Sequence, residues 1–347
     1  MLTDQRIVVT GGTGSLGTVL IRRLLSGEMG RPASVTVFSR DETKQHHMRL
    51  AYEQRSVATD EVTFDDWRRV LRFHIGDVAD ENSVRSMLQG ADVVFHAAAL
   101  KQVPTCEYFP AQAVRTNVGG ATNIVRAIQQ QQLAVQTVVG ISTDKACKPV
   151  NVMGMTKALQ ERVFVQANLD CGDTRFVMAR YGNVLASRGS VVPLFLDQIA
   201  MGGPVTVTTA DMTRFLMTLD QAVDTIFEAV RRALPGEVYV PRVPAALMLD
   251  VASVMIGERP IQIELTGIRP GEKVHEMLVS EEEAVRTTIR GDYLAIRPML
   301  PELQRDVTGD VPMTAHAFTS ADPLLDRQQV LSLLRDNDLL PAAAATG

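Results

Sequence analysis

Residues 143–157 read Thr-Asp-Lys-Ala-Cys-Lys-Pro-Val-Asn-Val-Met-Gly-Met-Thr-Lys. Thr143, Asp144 and Lys145 place a hydroxyl, a carboxyl and an amine on consecutive residues. An adjacent acid and amine can move protons between neighbouring atoms of one bound molecule. The plainer account is an ion pair at a strand end, with Asp144 keeping Lys145 protonated. For Lys145 to work as a base, desolvation must lower its pKa. Met153, about one helical turn ahead of Lys157, can neither give nor take a proton. Met153 and Met155 begin a helix two positions apart and cannot both face the core, so one is expected to touch the bound molecule.

The first residues indicate what lies beneath these groups. Ile7–Thr10 is a short apolar run of strand type. Gly11, Gly14 and Gly17 follow, with Thr13, Ser15 and Leu16 among them, and Thr18–Ser26 reads as an amphipathic helix. Glycines between a strand and a helix let the backbone approach a pyrophosphate, whose charge meets the helix N-terminus.

Further strands are expected at 34–39, 70–75, 91–97, 137–141 and 175–180, and helices at 81–88, 114–130 and 152–168. The alternation predicts an α/β fold, a Rossmann-type doubly wound parallel sheet with ligands at the strand C-terminal ends. The expected division is a dinucleotide-binding domain over 1–182, a smaller and mainly substrate-binding α/β domain over 183–300, and an irregular tail over 301–347 with a helix near Asp326–Arg335.

The chain has 347 residues, 46% of them apolar, enough for a sizeable core. Its 35 basic and 40 acidic residues give a net charge of −5 and no reason to expect nucleic acid. Three scattered cysteines, Cys106, Cys147 and Cys171, suggest a reducing compartment with neither disulfides nor a metal site. The early strand leaves no signal peptide, and no apolar run is long enough for a membrane span. A cytoplasmic protein is expected.

The second strand ends in Ser39-Arg40-Asp41, with Lys44 beyond. A hydroxyl beside Arg and Lys suits a 2′-phosphate, so NADP is expected over NAD. Asp41 is displaced and is a candidate cap for the next helix. Asp77, after Gly76 and before Val78, is placed for the adenine amino group. Ala97, Ala98 and Ala99 are small enough for the fourth strand to approach the cofactor. His96 reads as a packed strand-end residue.

Several segments together resemble the extended short-chain dehydrogenase/reductases, specifically the UDP-N-acetylglucosamine 4,6-dehydratase family. They include Thr10–Gly17, Phe38–Glu42, His96–Pro104, Arg115–Asn117, Ser142–Ala146, Asn151–Gly154, Arg180–Asn183, Met212–Phe215 and Gly267–Lys273. The soluble inverting subset that also epimerises carbon 5 is matched by Ala186-Ser187-Arg188, Asp211–Met217 and Leu278–Glu282. Such enzymes normally carry Tyr-x-x-x-Lys. Here Lys157 is kept and Met153 takes the Tyr position, as in part of that family. The tail departs from the family pattern.

The resemblance implies transient oxidation of carbon 4 of a UDP-sugar by bound NADP. Loss of the carbon 5 proton and the carbon 6 hydroxyl follows, then hydride return to carbon 6. It implies Lys145 as base at carbon 5, Asp144 as acid at carbon 6, Thr143 on the carbon 4 oxygen and Lys157 on the nicotinamide ribose. Asn117 and Tyr181 join the cofactor set. Lys101, Asn183, Arg188, Val192, Arg214, Arg269 and Glu272 form the substrate set, and a homo-oligomer built on dimers, up to a hexamer, is implied. Two alternatives stay open: a retaining dehydratase or nucleotide-sugar epimerase, and a non-catalytic NADP-binding regulator.

Overall fold

Ile7, Val8, Val9 and Thr10 are all buried, as a central strand covered on both faces requires. In the computed structural model they form β1 (Arg6–Thr10), followed by β2 (Ser34–Ser39), β3 (Leu71–Ile75), β4 (Val93–His96), β5 (Thr137–Thr143) and β6 (Arg175–Tyr181). Shorter strands follow: β7 (Val205–Val207), β8 (Thr213–Phe215), β9 (Val238–Pro241), β10 (Ala245–Leu247), β11 (Ile263–Leu265) and β12 (Met277–Val279). The last are β13 (Thr287–Arg290), β14 (Tyr293–Ile296), β15 (Val311–Pro312) and β16 (Phe318–Thr319). The structure describes residues 1–58, 67–185, 190–305, 309–314 and 316–341.

The main sheet has ten strands in the order β15-β13-β14-β9-β6-β5-β4-β1-β2-β3. From β3 to β9 they run parallel, and β14, β13 and β15 extend the edge antiparallel. The order 3-2-1-4-5-6 reverses beside β1, which opens a crevice at the strand C-terminal ends. This is the doubly wound α/β fold the alternation predicts.

Three local differences matter for the site. The helix expected from Thr18 begins at Ser15, because Gly14 is its N-cap and its carbonyl accepts from Thr18 N at 2.9 Å. The strand expected to end at Ile141 continues to Thr143, since Ser142 and Thr143 stay in register with Arg180 and Tyr181. The helix expected over 114–130 opens as a π-helical turn, Val114–Val118, before Gly119–Gln131.

The main core does not stop at the boundary expected at 182/183. It runs on through Phe215, Phe227, Tyr239 and Leu294, and the sheet crosses with it through β9, β13, β14 and β15, while a second core lies wholly beyond the boundary. The second core gathers Val192, Phe195, Leu216, Met248, Val251 and Met255 with Val330 and Leu334 from the tail. The tail helix Arg327–Asp336 lies one residue beyond the expected span and is held by a capping box between Asp326 and Gln329. Among the described residues no helix is long and apolar enough to cross a membrane, and no group of metal-ligating side chains occurs.

Candidate active site

A cavity of about 590 Å³ lies where β1, β4, β5 and β6 end. One wall is the glycine loop. Gly11 has φ +67°, and a Cβ there would lie 2.8 Å from Ala98 N and 2.9 Å from the Ala97 carbonyl oxygen. The loop can therefore press on the fourth strand only if residue 11 is glycine. A Cβ on Gly17 would lie 2.6 Å from Gly11 O, so that glycine seats the helix on the strand. Gly11, Thr13, Gly14, Ser15, Leu16 and Gly17 all line the cavity, as do Asp77, Val78, Ala97, Ala98 and Ala99. A glycine cradle at the N-terminus of an eleven-residue helix fits a dinucleotide pyrophosphate.

The end of β2 is already organised. Arg40 Nη1 stands 3.6 Å from Asp77 Oδ2. Lys44 Nζ pairs with Asp41 Oδ2 at 2.6 Å, while Asp41 Oδ1 accepts from Lys44 N, so Asp41 does cap the helix Glu42–Ala58. Gln45 Nε2 donates to Ser39 Oγ and O at 3.0 Å. Ser39, Arg40 and Lys44 face the same cavity.

The opposite wall carries the acid–amine pair. Thr143, the last residue of β5, donates from Oγ1 to Asp144 Oδ1 at 2.7 Å. Lys145 N donates to the same oxygen at 2.8 Å, and Lys145 Nζ reaches it at 3.1 Å. Lys145 Nζ also lies 3.4 Å from Glu276 Oε1 and 3.5 Å from Asn183 Oδ1. Burial pulls the Lys145 ammonium down, but Asp144 and Glu276 outweigh it and the net shift is upward. The lowered pKa that a free base needs is therefore not met at rest, because two carboxylates flank the ammonium. Asp144 Oδ2 and Glu276 Oε2 are buried and have no hydrogen-bond partner among the described residues.

Lys157 behaves in the opposite way. Burial lowers it to about 7 and Glu161 offsets only part of that. Its Nζ donates to Gln160 Oε1 at 2.6 Å. Met153 is buried and packs with Cys106 and Ala113, yet also borders the cavity, whereas Met155 is exposed. Of the two methionines it is Met153 that borders the cavity. His96 is fully buried, meets Thr10 Oγ1 through Nδ1 at 2.9 Å, and is held to about 3 by burial and by Lys157. It is a neutral packed residue.

Below the pair, Arg180 is clamped between Glu161 and Glu283, each at 2.7 Å. Ser142 Oγ donates to Glu161 at 2.5 Å. These bonds tie β5 and β6 to the helix Val152–Asp170 that carries Met153 and Lys157.

Tyr181, Lys101 and Asn183 line the cavity. Asn117 does not. It braces the backbone of Leu100, accepting from its N at 2.8 Å and donating to its O at 3.0 Å. Val192 is fully buried in the second core. Arg214 is turned inward, donating to the carbonyls of Thr213 and Val274 at 2.7 and 3.0 Å. Arg269 is exposed, and Glu272 carries a buried oxygen without a partner among the described residues; neither borders the cavity. Arg188, with Ala186 and Ser187, lies outside the described residues. Sequence reasoning missed Glu276, Gln160 and the Glu161–Arg180–Glu283 clamp. A lone carboxylate far along the chain carries no signal of its own, although Glu276 closely follows the Gly271-Glu272-Lys273 motif.

Comparison with known proteins agrees with this geometry. A curated protein of Rickettsia bellii (strain RML369-C) named UDP-glucose 4-epimerase is 40% identical over 341 residues, covering 97% of this chain and 91% of that one. The X-ray structure of Pen from Bacillus thuringiensis superposes with a TM-score of 0.87 at 32% identity, covering 98% and 100% of the two chains. DesIV of Streptomyces venezuelae, a dTDP-glucose 4,6-dehydratase solved with NAD and TYD, shares the fold at TM-score 0.64 and 21% identity, covering 78% and 86%. The model of the family described as polysaccharide biosynthesis protein matches residues 7–298, and the chain belongs to that family.

Proposed function

We propose that this protein is a nucleotide-sugar 4,6-dehydratase acting on UDP-N-acetylglucosamine, inverting carbon 5 and using NADP. Nucleotide-sugar chemistry of the dehydratase/epimerase type is common to the names of its relatives. The observation that carries the finer reading is the Asp144–Lys145 pair, with its unpartnered Asp144 Oδ2, at the edge of the cavity. Epimerisation at carbon 4 needs no proton transfer at carbons 5 and 6; dehydration needs both.

The nicotinamide, when bound, supplies the hydride acceptor and donor. The chain's residues supply the proton steps. A sugar hydroxyl bonded to Thr143 joins the hydrogen bond to Asp144. Transfer of one proton from the Lys145 ammonium to Asp144 creates an amine and a carboxylic acid together. The amine takes the carbon 5 proton, made acidic by a carbon 4 ketone. The acid gives its proton to the departing carbon 6 hydroxyl, which leaves as water. Lys145 ends as ammonium and Asp144 as carboxylate, the resting state. The proton released by the carbon 4 hydroxyl on its oxidation goes to water. Hydride return to carbon 6 is completed by a proton from water at carbon 5 on the opposite face, which inverts that centre. Lys157, with a pKa near 7, can hold a ribose hydroxyl in either charge state.

Arg40 beside Asp77 supports NADP, with NAD the second reading. Exposed Tyr108, Phe109 and Leu159 support a homo-oligomer.

The test is incubation with UDP-N-acetylglucosamine, followed by mass spectrometry and by proton NMR in deuterated water. Dehydration gives a product lighter by one water with a methyl group at carbon 6, and the carbon 5 ring couplings report inversion. The second reading, favoured by the names of the curated relatives, is a 4-epimerase. It gives a product of unchanged mass, and finding that alone would sink the dehydratase assignment. No turnover of any UDP-hexose would leave the regulator reading.

A further inference from the structure

Outside the expected site residues, Glu276 is the buried carboxylate nearest to the chemistry. It is 3% exposed, and its Oε1 lies 3.4 Å from Lys145 Nζ and 3.9 Å from Arg214 Nε. Its other oxygen is buried without a partner among the described residues. A buried carboxylate is costly unless it is paired, and here the pairing comes from Lys145 and Arg214. The backbone that presents it is held by the tail. Ser320 is fully buried, and Glu276 N donates to Ser320 Oγ at 2.9 Å. Ser320 N returns a bond to Glu276 O at 2.8 Å, and Ser320 Oγ meets Thr213 Oγ1 at 2.6 Å. β16, just before Ser320, pairs antiparallel with β12, just after Glu276. The tail segment is thus built into the strand that presents this carboxylate to Lys145.

We infer that Glu276 is a positioning residue that holds the Lys145 ammonium at the cavity, and that Ser320 sets Glu276 there. The charged groups facing Lys145 are Asp144 from its own turn, and Glu276 and Arg214 from the outer strands. Lys157 and Lys101 border the same cavity. Asp144 is needed to exchange a proton with Lys145. Glu276 supplies a second negative charge that stays while Asp144 is neutral, so the ammonium formed when Lys145 takes the carbon 5 proton remains paired and in place. This role rests on the dehydratase reading for its purpose. The coupling between Glu276 and Lys145 does not.

The test separates the two. In full-length protein with its cofactor, labelled with ζ-¹⁵N lysine, the Lys145 signal is assigned by its loss in Lys145→Arg. In Glu276→Gln its titration midpoint should fall by roughly one pH unit or more, the scale of one opposite charge nearby. Ser320→Ala, which leaves the carboxylate but frees it, should lower the midpoint by less. It also serves if Glu276→Gln does not fold. With UDP-N-acetylglucosamine, the limb of the pH–rate profile that Lys145→Arg removes should move down in parallel. A Lys145 midpoint unchanged in both folded variants overturns the inference. A shifted midpoint without dehydratase turnover upholds the coupling and strikes only the proposed reaction.

Discussion

A Cβ on Gly154 would lie 2.2 Å from the carbonyl oxygen of Lys145. The first turn of the helix Val152–Asp170 therefore rests directly on the turn that carries the acid–amine pair, and no larger residue fits between them. Gly154 N donates to Asn151 Oδ1 at 2.8 Å, the helix cap. Gly154→Ala should push Lys145 away while leaving the glycine cradle intact. A displacement of about 1 Å can cost a hundredfold in turnover. The expected outcome is turnover down by about that factor with cofactor content unchanged. Turnover within twofold of the parent would show that this packing does not set the geometry of the pair.

The cofactor end gives a second expectation. Arg40 is more than half exposed and only loosely paired with Asp77, so its guanidinium remains available to an anion. One charge-assisted contact to a phosphate is worth roughly 1.5–3 kcal/mol. Arg40→Ala should weaken NADP by about ten- to a hundredfold and NAD little, as read by calorimetric titration. Equal weakening of both would mean that Arg40 does not read the 2′-phosphate.

The glycine loop, the strands near it and the Thr143–Lys157 segment were legible because each is local. Short continuous apolar runs, a glycine spacing and a short charged stretch all declare themselves within a few residues. Most of the expected cavity residues do border it. What was not legible depends on contacts across long stretches of chain. Arg214 reads as a loop cation but turns inward to the carbonyls of Thr213 and Val274. Asn117 sits in a recognisable motif, yet it braces Leu100 and does not reach the cavity. Glu276 meets Lys145 only because β12 folds back beside the turn after β5, and the tail's Ser320 holds it there.

The clamp beneath the site should appear in acid. Burial raises the Glu283 carboxyl, but Arg180 outweighs it and brings the pKa down to about 2, against the ordinary 4.5. A depressed folded pKa contributes stability above about pH 4.5 that is lost as pH falls towards 2. That contribution is on the order of 3 kcal/mol at most. Urea unfolding should find Glu283→Gln less stable than the parent by up to that amount at pH 7, the gap closing as pH falls through 4.5 towards 2. A gap that stays constant with pH would show that the loss is one of packing and not of the Arg180 pairing.

The most specific expectation concerns Asp144. Its Oδ1 holds Thr143 and Lys145, and its buried Oδ2 is left for a proton. Asp144→Asn keeps the shape and removes both the acid and one of the two carboxylates that raise Lys145. With one flanking charge gone, the Lys145 amine becomes more available, increasingly so as pH rises. Abstraction at carbon 5 should therefore survive, while the carbon 6 hydroxyl loses its proton donor. General acid help is worth roughly two to four orders of magnitude. In deuterated water the variant should exchange the carbon 5 proton of UDP-N-acetylglucosamine, faster at higher pH, and release dehydrated product slower by about that factor. Product release at the parent rate would remove Asp144 from the acid role. Loss of exchange as well, with the fold and cofactor intact, would mean that Asp144 is needed for a step before the carbon 5 proton leaves, and that Lys145 cannot serve as base without it.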